Sequence, residues 1–94
     1  MWVIVVYDIV STKRRNRVAR ELEGRAFRVQ KSVFEGEMDE DCVRSLRDVL
    51  SLLIDSREDA VRMYLLPSRL SARLELIGVG RDIRSDWLYL GNGQ

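Results

Sequence analysis

The chain has no histidine, one cysteine and one proline among its 94 residues. Without histidine, acid–base and metal chemistry falls to carboxylates, lysine or tyrosine. A serine or cysteine nucleophile has no imidazole to activate it, so a hydrolytic triad is excluded. The lone Cys42 cannot close an internal disulfide and has no zinc-ligand companions. It is expected as a core or near-core thiol on a helix. No apolar run approaches the roughly 20 residues that span a membrane. No basic region precedes the N-terminal apolar run, and no small-residue cleavage site follows it, so a signal peptide is not expected. A cytoplasmic location is the default, with no membrane partner. Gly78 and Gly80 lack the third glycine and the following helix of a dinucleotide fingerprint.

What is present is a globular composition, with 46% hydrophobic and 33% charged residues. The length predicts one domain with a small core and a thin stability margin. The net charge of +1 conceals an asymmetry. Residues 12–31 carry eight Lys or Arg against two Glu, a balance of +6. Residues 32–60 carry nine acids against three Arg, a balance of −6. A basic block of that density suits a polyanion surface, and equally a solvated helix face. The acidic block falls where charge favours a helix N-terminus.

Residues 2–9 read as a central strand, because Val3-Ile4-Val5-Val6 is continuously β-branched. Ser11 or Thr12 can cap a helix that ends before Gly24, with Val18, Ala19 and Leu22 as its apolar stripe. Residues 26–37 read as extended, with a bulge or a tight hairpin near Lys31-Ser32. Met38 to Asp55 is the clearest helix, with Val43, Leu46, Leu50 and Leu53 at helical spacing, joined by Val49 and Ile54. Asp39, Glu40 and Asp41 fall in its first turn. Residues 59–66 alternate, with Val61, Met63 and Leu65 on one face and Arg62, Tyr64 and Leu66 on the other. Pro67 stops that strand. Leu74 to Val79 reads as a surplus strand, and residues 81–94 as a tail after a domain of residues 1–80.

This order is the βαββαβ of an α+β, ferredoxin-like sandwich. Two helices cover one sheet face and the chain has nothing left for the other. A homodimer packed through its sheets, with the extra strand on the neighbour's edge, meets both needs.

Asp8 ends the apolar run. A carboxylate there costs desolvation unless it is paired or metal-bound, and strand carboxyl ends are where α/β proteins place sites. Magnesium takes one or two carboxylates, waters and phosphates. One Asp8 per chain is a weak site, whereas two facing each other across a two-fold axis would serve. Alternatively, Asp8 caps the helix or pairs with Arg15 or Arg17. Tyr7 faces the opposite side of the sheet and can be a packing aromatic. Arg17 shares a helix face with Lys13 or Arg14, but not with Arg15. Arg28 lies either beside the Asp8 strand end or in solvent. Phe34 stacks on a base or fills the core.

Three segments carry a resemblance: Val5-Val6-Tyr7-Asp8-Ile9, Lys13-Arg14-Arg15-Asn16-Arg17-Val18-Ala19, and Arg28-Val29-Gln30-Lys31-Ser32-Val33-Phe34-Glu35-Gly36. Asp59-Ala60-Val61-Arg62-Met63-Tyr64 adds a fourth. In these the chain resembles the small CRISPR-associated endoribonuclease family, the non-integrase subunit of the spacer-acquisition complex. The resemblance implies a ferredoxin-like homodimer in which two Asp8 carboxylates share a magnesium ion. It implies metal-dependent phosphodiesterase activity on RNA and, in some members, on double-stranded DNA. It assigns functional positions to Tyr7, Asp8, Arg15, Arg17, Arg28 and Phe34. It also implies a non-catalytic role, bridging dimers of the CRISPR integrase subunit and holding duplex DNA. Val10-Ser11-Thr12 departs from the polar and acidic residues of many members. That leaves the metal to the paired Asp8, with modest affinity and activity that is weak or restricted in pH.

Overall fold

The computed structural model describes residues 1–68 and Ile77. The elements run β1 (Trp2–Asp8), α1 (Thr12–Glu23), β2 (Phe27–Gln30), β3 (Val33–Glu37), α2 (Glu40–Leu53) and β4 (Ala60–Leu66). They form one antiparallel sheet in the order β2-β3-β1-β4. This is the ferredoxin-like arrangement expected from the sequence, with the most apolar strand placed centrally. The expected surplus strand at 74–79 lies outside the described residues, apart from the exposed Ile77. So does the boundary placed at residue 80, with the tail beyond it.

Register decides which side chains share a face. Val5 pairs with Phe34 on one side and Met63 on the other, and Tyr7 pairs with Val61. These residues therefore lie on the face covered by the helices. Val18, Ala19 and Leu22 of α1 and Val43, Leu46 and Leu50 of α2 close the core over them. Leu65 shares that face through its pairing with Val3, yet 46% of it is exposed, because β4 is an edge strand at the margin of the helix layer. Leu53 and Ile54 are only partly buried. Cys42 is a free, half-buried thiol packed against the core.

Caps sharpen the helix ends. The Ser11 hydroxyl accepts from the Arg14 amide at 3.2 Å, so Ser11, not Thr12, opens α1. Asp39 caps α2 by accepting from the Cys42 amide at 2.8 Å. The helix therefore starts after Asp39 and stops at Leu53, inside the wider span expected. Between β2 and β3 the chain has both of the features expected as alternatives. It turns tightly at Lys31-Ser32, and the register shifts between Arg28 and Gln30. Gly36 is required by close approach: a Cβ there would meet the Ala26 Cα and the Arg25 carbonyl oxygen at 3.1 Å.

The other sheet face carries Trp2, Ile4, Val6 and Asp8 of β1, with Arg62 and Tyr64 of β4. At one end of this face, the Trp2 indole donates to Glu35 at 2.8 Å, and both residues are buried. At the other end, Asp8 and Arg62 are exposed.

Leu46→Ala should lower the unfolding free energy by about 2–5 kcal/mol, the range for a fully enclosed leucine. Leu52→Ala, at a position 86% exposed, should change it by less than about 0.5 kcal/mol. Denaturant titration of both variants checks the core assignment.

Candidate functional site

β1 ends in two adjacent residues with opposite surroundings. Tyr7 turns towards the helices and is buried. Its hydroxyl donates to the Lys31 carbonyl at 3.2 Å. Its amide donates to the Ser32 carbonyl at 3.1 Å. Both bonds fix the β2–β3 turn against the end of the central strand. Burial raises the Tyr7 pKa, partly offset by the charge of Arg28. The phenol therefore keeps its proton at neutral pH and does not serve as a base.

Arg28 and Phe34 complete a cluster with Tyr7. The Arg28 guanidinium lies 5.0 Å from the Phe34 ring centroid, and the Tyr7 and Phe34 rings are 6.3 Å apart. Arg28 also donates to the Lys31 carbonyl at 3.3 Å and faces Glu23 at 3.9 Å. Phe34 is fully buried, so it offers no ring face for a base and supports Arg28 from beneath. This cation–π contact turns a core aromatic into a platform for a partly exposed cation.

Asp8 points away from that cluster. It is exposed and makes no hydrogen bond or ion pair among the described residues. The two alternatives for it are both filled by other groups. Ser11 caps α1. Arg15 donates instead to the Ile9 carbonyl and the Thr12 hydroxyl, each at 2.9 Å. Arg15 thus braces the turn immediately after Asp8. Arg17 is exposed with no partner among the described residues. Lys13, Arg17 and Arg20 are all exposed and fall at helical spacing on one face of α1. The structure thus brings Tyr7, Arg28 and Phe34 together and separates them from Asp8 by the thickness of the sheet.

Sequence reading missed the connection that ties this end of the molecule together. The Asp59 side chain is fully enclosed. It accepts from the Val10 amide at 3.0 Å and the Asp55 amide at 2.8 Å. Arg14 donates to both of its oxygens, at 2.7 and 3.2 Å, and reaches Glu58 at 2.7 Å. The Arg14 guanidinium holds the Asp59 carboxyl well below the usual carboxylate range. The available signal was an acid directly before a strand and an arginine in the first turn of a helix, 45 residues apart.

No three His, Cys, Asp or Glu side chains gather into a metal cluster among the described residues. At the end of β1 the donor on offer is the Asp8 carboxylate, which has no hydrogen-bond or ion-pair partner among the described residues. That chemistry suits a hard cation that keeps most of its waters.

A family model described as CRISPR associated protein Cas2 matches residues 1–73. The chain belongs to the Cas2 family. A Chloroflexus aurantiacus relative named CRISPR-associated endoribonuclease Cas2 3 is 36% identical over 80 residues, 85% of this chain and 86% of that one. A Halalkalibacterium halodurans relative named CRISPR-associated endonuclease Cas2 is 36% identical, over 88% of this chain and 92% of that one. The crystal structure of Streptococcus pyogenes Cas2 at pH 6.5 matches with a TM-score of 0.75 and 32% identity, covering 83% of this chain and all of that one. The resemblance read from the strand, helix and hairpin motifs is thereby confirmed. No helix among the described residues is long and apolar enough to cross a membrane.

A carboxyl with a lowered pKa adds stability that is present above its unfolded value, about 3.9, and lost as pH falls towards its folded value. Asp59→Asn should therefore lower Tm at pH 7 by at least about 4 °C. The gap from the parent should begin to narrow as pH falls below about 4, where the unfolded carboxyl takes up its proton while the folded one stays ionised, and it should keep narrowing down to about pH 2. Thermal melts across that range check it.

Proposed function

We propose that this Cas2-family chain is a metal-dependent endonuclease that cleaves phosphodiester bonds in RNA and double-stranded DNA and acts as a homodimer in CRISPR spacer acquisition. The observation that carries the reading is the exposed Asp8 carboxylate at the end of the central strand, on the face opposite α1 and α2 and without a partner among the described residues. The nuclease names of its relatives support it. Asp8 and Asp8 of the partner subunit would hold one magnesium ion. When bound, such an ion activates water and neutralises developing charge on a phosphoryl group.

The chain's own residues do the rest. Arg15 fixes the turn that carries Asp8. Arg17, with Lys13 and Arg20, holds phosphates along α1. Arg28, seated on Phe34, adds positive charge at the hairpin. Tyr7 stays protonated and holds the Lys31 carbonyl, so its part is to position.

A second reading has its own observation. The Lys13–Arg17–Arg20 stripe is free of ion pairs among the described residues, which suits backbone binding to duplex DNA. In that role the protein bridges dimers of the integrase subunit, and Asp8 is dispensable.

Asp8→Asn changes an exposed group and should leave folding within about 0.5 kcal/mol of the parent. It should lower magnesium-dependent cleavage more than about 100-fold, beyond what residues one step removed from a metal produce. EDTA should do the same to the parent. Equal cleavage by parent and variant contradicts the nuclease reading. Duplex binding that survives Asp8→Asn but weakens in Arg17→Ala, with a salt slope shallower by about 0.9 for each phosphate the variant no longer neutralises, supports the adaptor.

A further inference from the structure

The sheet face opposite α1 and α2 carries a second charge without a partner among the described residues, one that the site as proposed does not use. Val6 pairs with Arg62, and Asp8 pairs with Ala60. Asp8 and Arg62 are therefore diagonal neighbours on the same face of adjacent strands, about 7–8 Å apart by general sheet geometry. Both are exposed. Neither has a hydrogen-bond or ion-pair partner among the described residues. The residues between them are Val6 and Ala60, which offer no polar atom to either side chain. The two side chains make no hydrogen bond or ion pair with one another, so carboxylate and guanidinium are each available to a third group on this face.

We propose that Arg62 holds the scissile phosphate beside Asp8, as a substrate-binding residue of the nuclease site. This rests on the nuclease reading above. The planar guanidinium presents paired N–H donors that match two phosphate oxygens. The phosphate would then lie between that fork and whatever cation Asp8 holds. Arg62 reaches the same face as Asp8, whereas Arg15 is committed to the Ile9 carbonyl and the Thr12 hydroxyl. Arg28 lies on the opposite face, over Phe34. Ala60, the small residue paired with Asp8, leaves the approach open.

The test compares Arg62→Ala and Arg62→Lys with the parent homodimer. Single-stranded RNA binding is measured in EDTA, so that no cleavage intervenes. In Arg62→Ala the affinity should fall several-fold. The slope of log K against log salt should become shallower by about 0.7 for each phosphate left without its cation. Arg62→Lys should restore the slope, because the charge remains. It should not restore cleavage in magnesium, because the fork is gone. Tm should change little in either variant, since Arg62 makes no hydrogen bond or ion pair among the described residues. An unchanged salt slope in Arg62→Ala overturns the proposal, and so does full cleavage by Arg62→Ala. If Asp8→Asn abolishes cleavage while Arg62→Ala is normal, this inference fails and the nuclease reading stands. If the parent does not cleave at all, the nuclease reading fails and the catalytic role of Arg62 fails with it.

Discussion

The Arg14–Asp59 pair is the constraint on which this end of the molecule depends. Its carboxylate joins three places that are remote in sequence: the turn after β1 through the Val10 amide, the loop before β4 through the Asp55 amide, and the first turn of α1 through Arg14. An enclosed carboxylate is stable only with its hydrogen bonds met, and here the two amides and the Arg14 guanidinium meet them. Asp59 directly precedes Ala60, and Ala60 is the cross-strand partner of Asp8. The same carboxylate thus sets where β1 ends and where β4 begins. Asp8 inherits a fixed backbone without making a side-chain bond of its own among the described residues.

That arrangement resolves the conflict at the end of β1. A free carboxylate after a run of valines would be pulled towards a cap or an ion pair. Ser11 takes the cap, and Arg15 is committed to the Ile9 carbonyl and the Thr12 hydroxyl. The strand's alternation then separates two environments by one residue. Tyr7 goes inwards to a packed cluster with Phe34 and Arg28, which holds the hairpin. Asp8 goes outwards to the helix-free face. Arg15, bonded to the Ile9 carbonyl and the Thr12 hydroxyl, stiffens the turn that follows.

Much of the fold was legible in the sequence, because its signals are local. The β-branched run, the Val43–Leu46–Leu50 spacing and the breaker at Pro67 each depend on neighbouring residues, and they mark the strand, the helix and the stop. Asp8 was legible for the same reason, as a lone charge after an apolar run. What escaped depends on register and on distant pairs. The partnership of Arg14 with Asp59 spans most of the described chain, and each residue sits within a block of like charge that hides it. Arg62 reads as an ordinary outward residue of an alternating strand until the β1–β4 pairing places it beside Asp8. Phe34 reads as a base-stacking ring or as core, and only burial decides that it has no free face. The helix boundaries moved because side-chain caps, not hydrophobic periodicity, determine the ends.

On the proposed reading, Asp8 is half of a metal site whose other half is the same residue in a second copy. Counting bound ions tests this without reference to any substrate. Titrating Mn²⁺ as a spectroscopic stand-in for magnesium into the protein at concentrations where it is dimeric should give one ion for every two chains. Asp8→Asn should remove that binding. One ion per chain, or binding that persists in Asp8→Asn, would contradict the account.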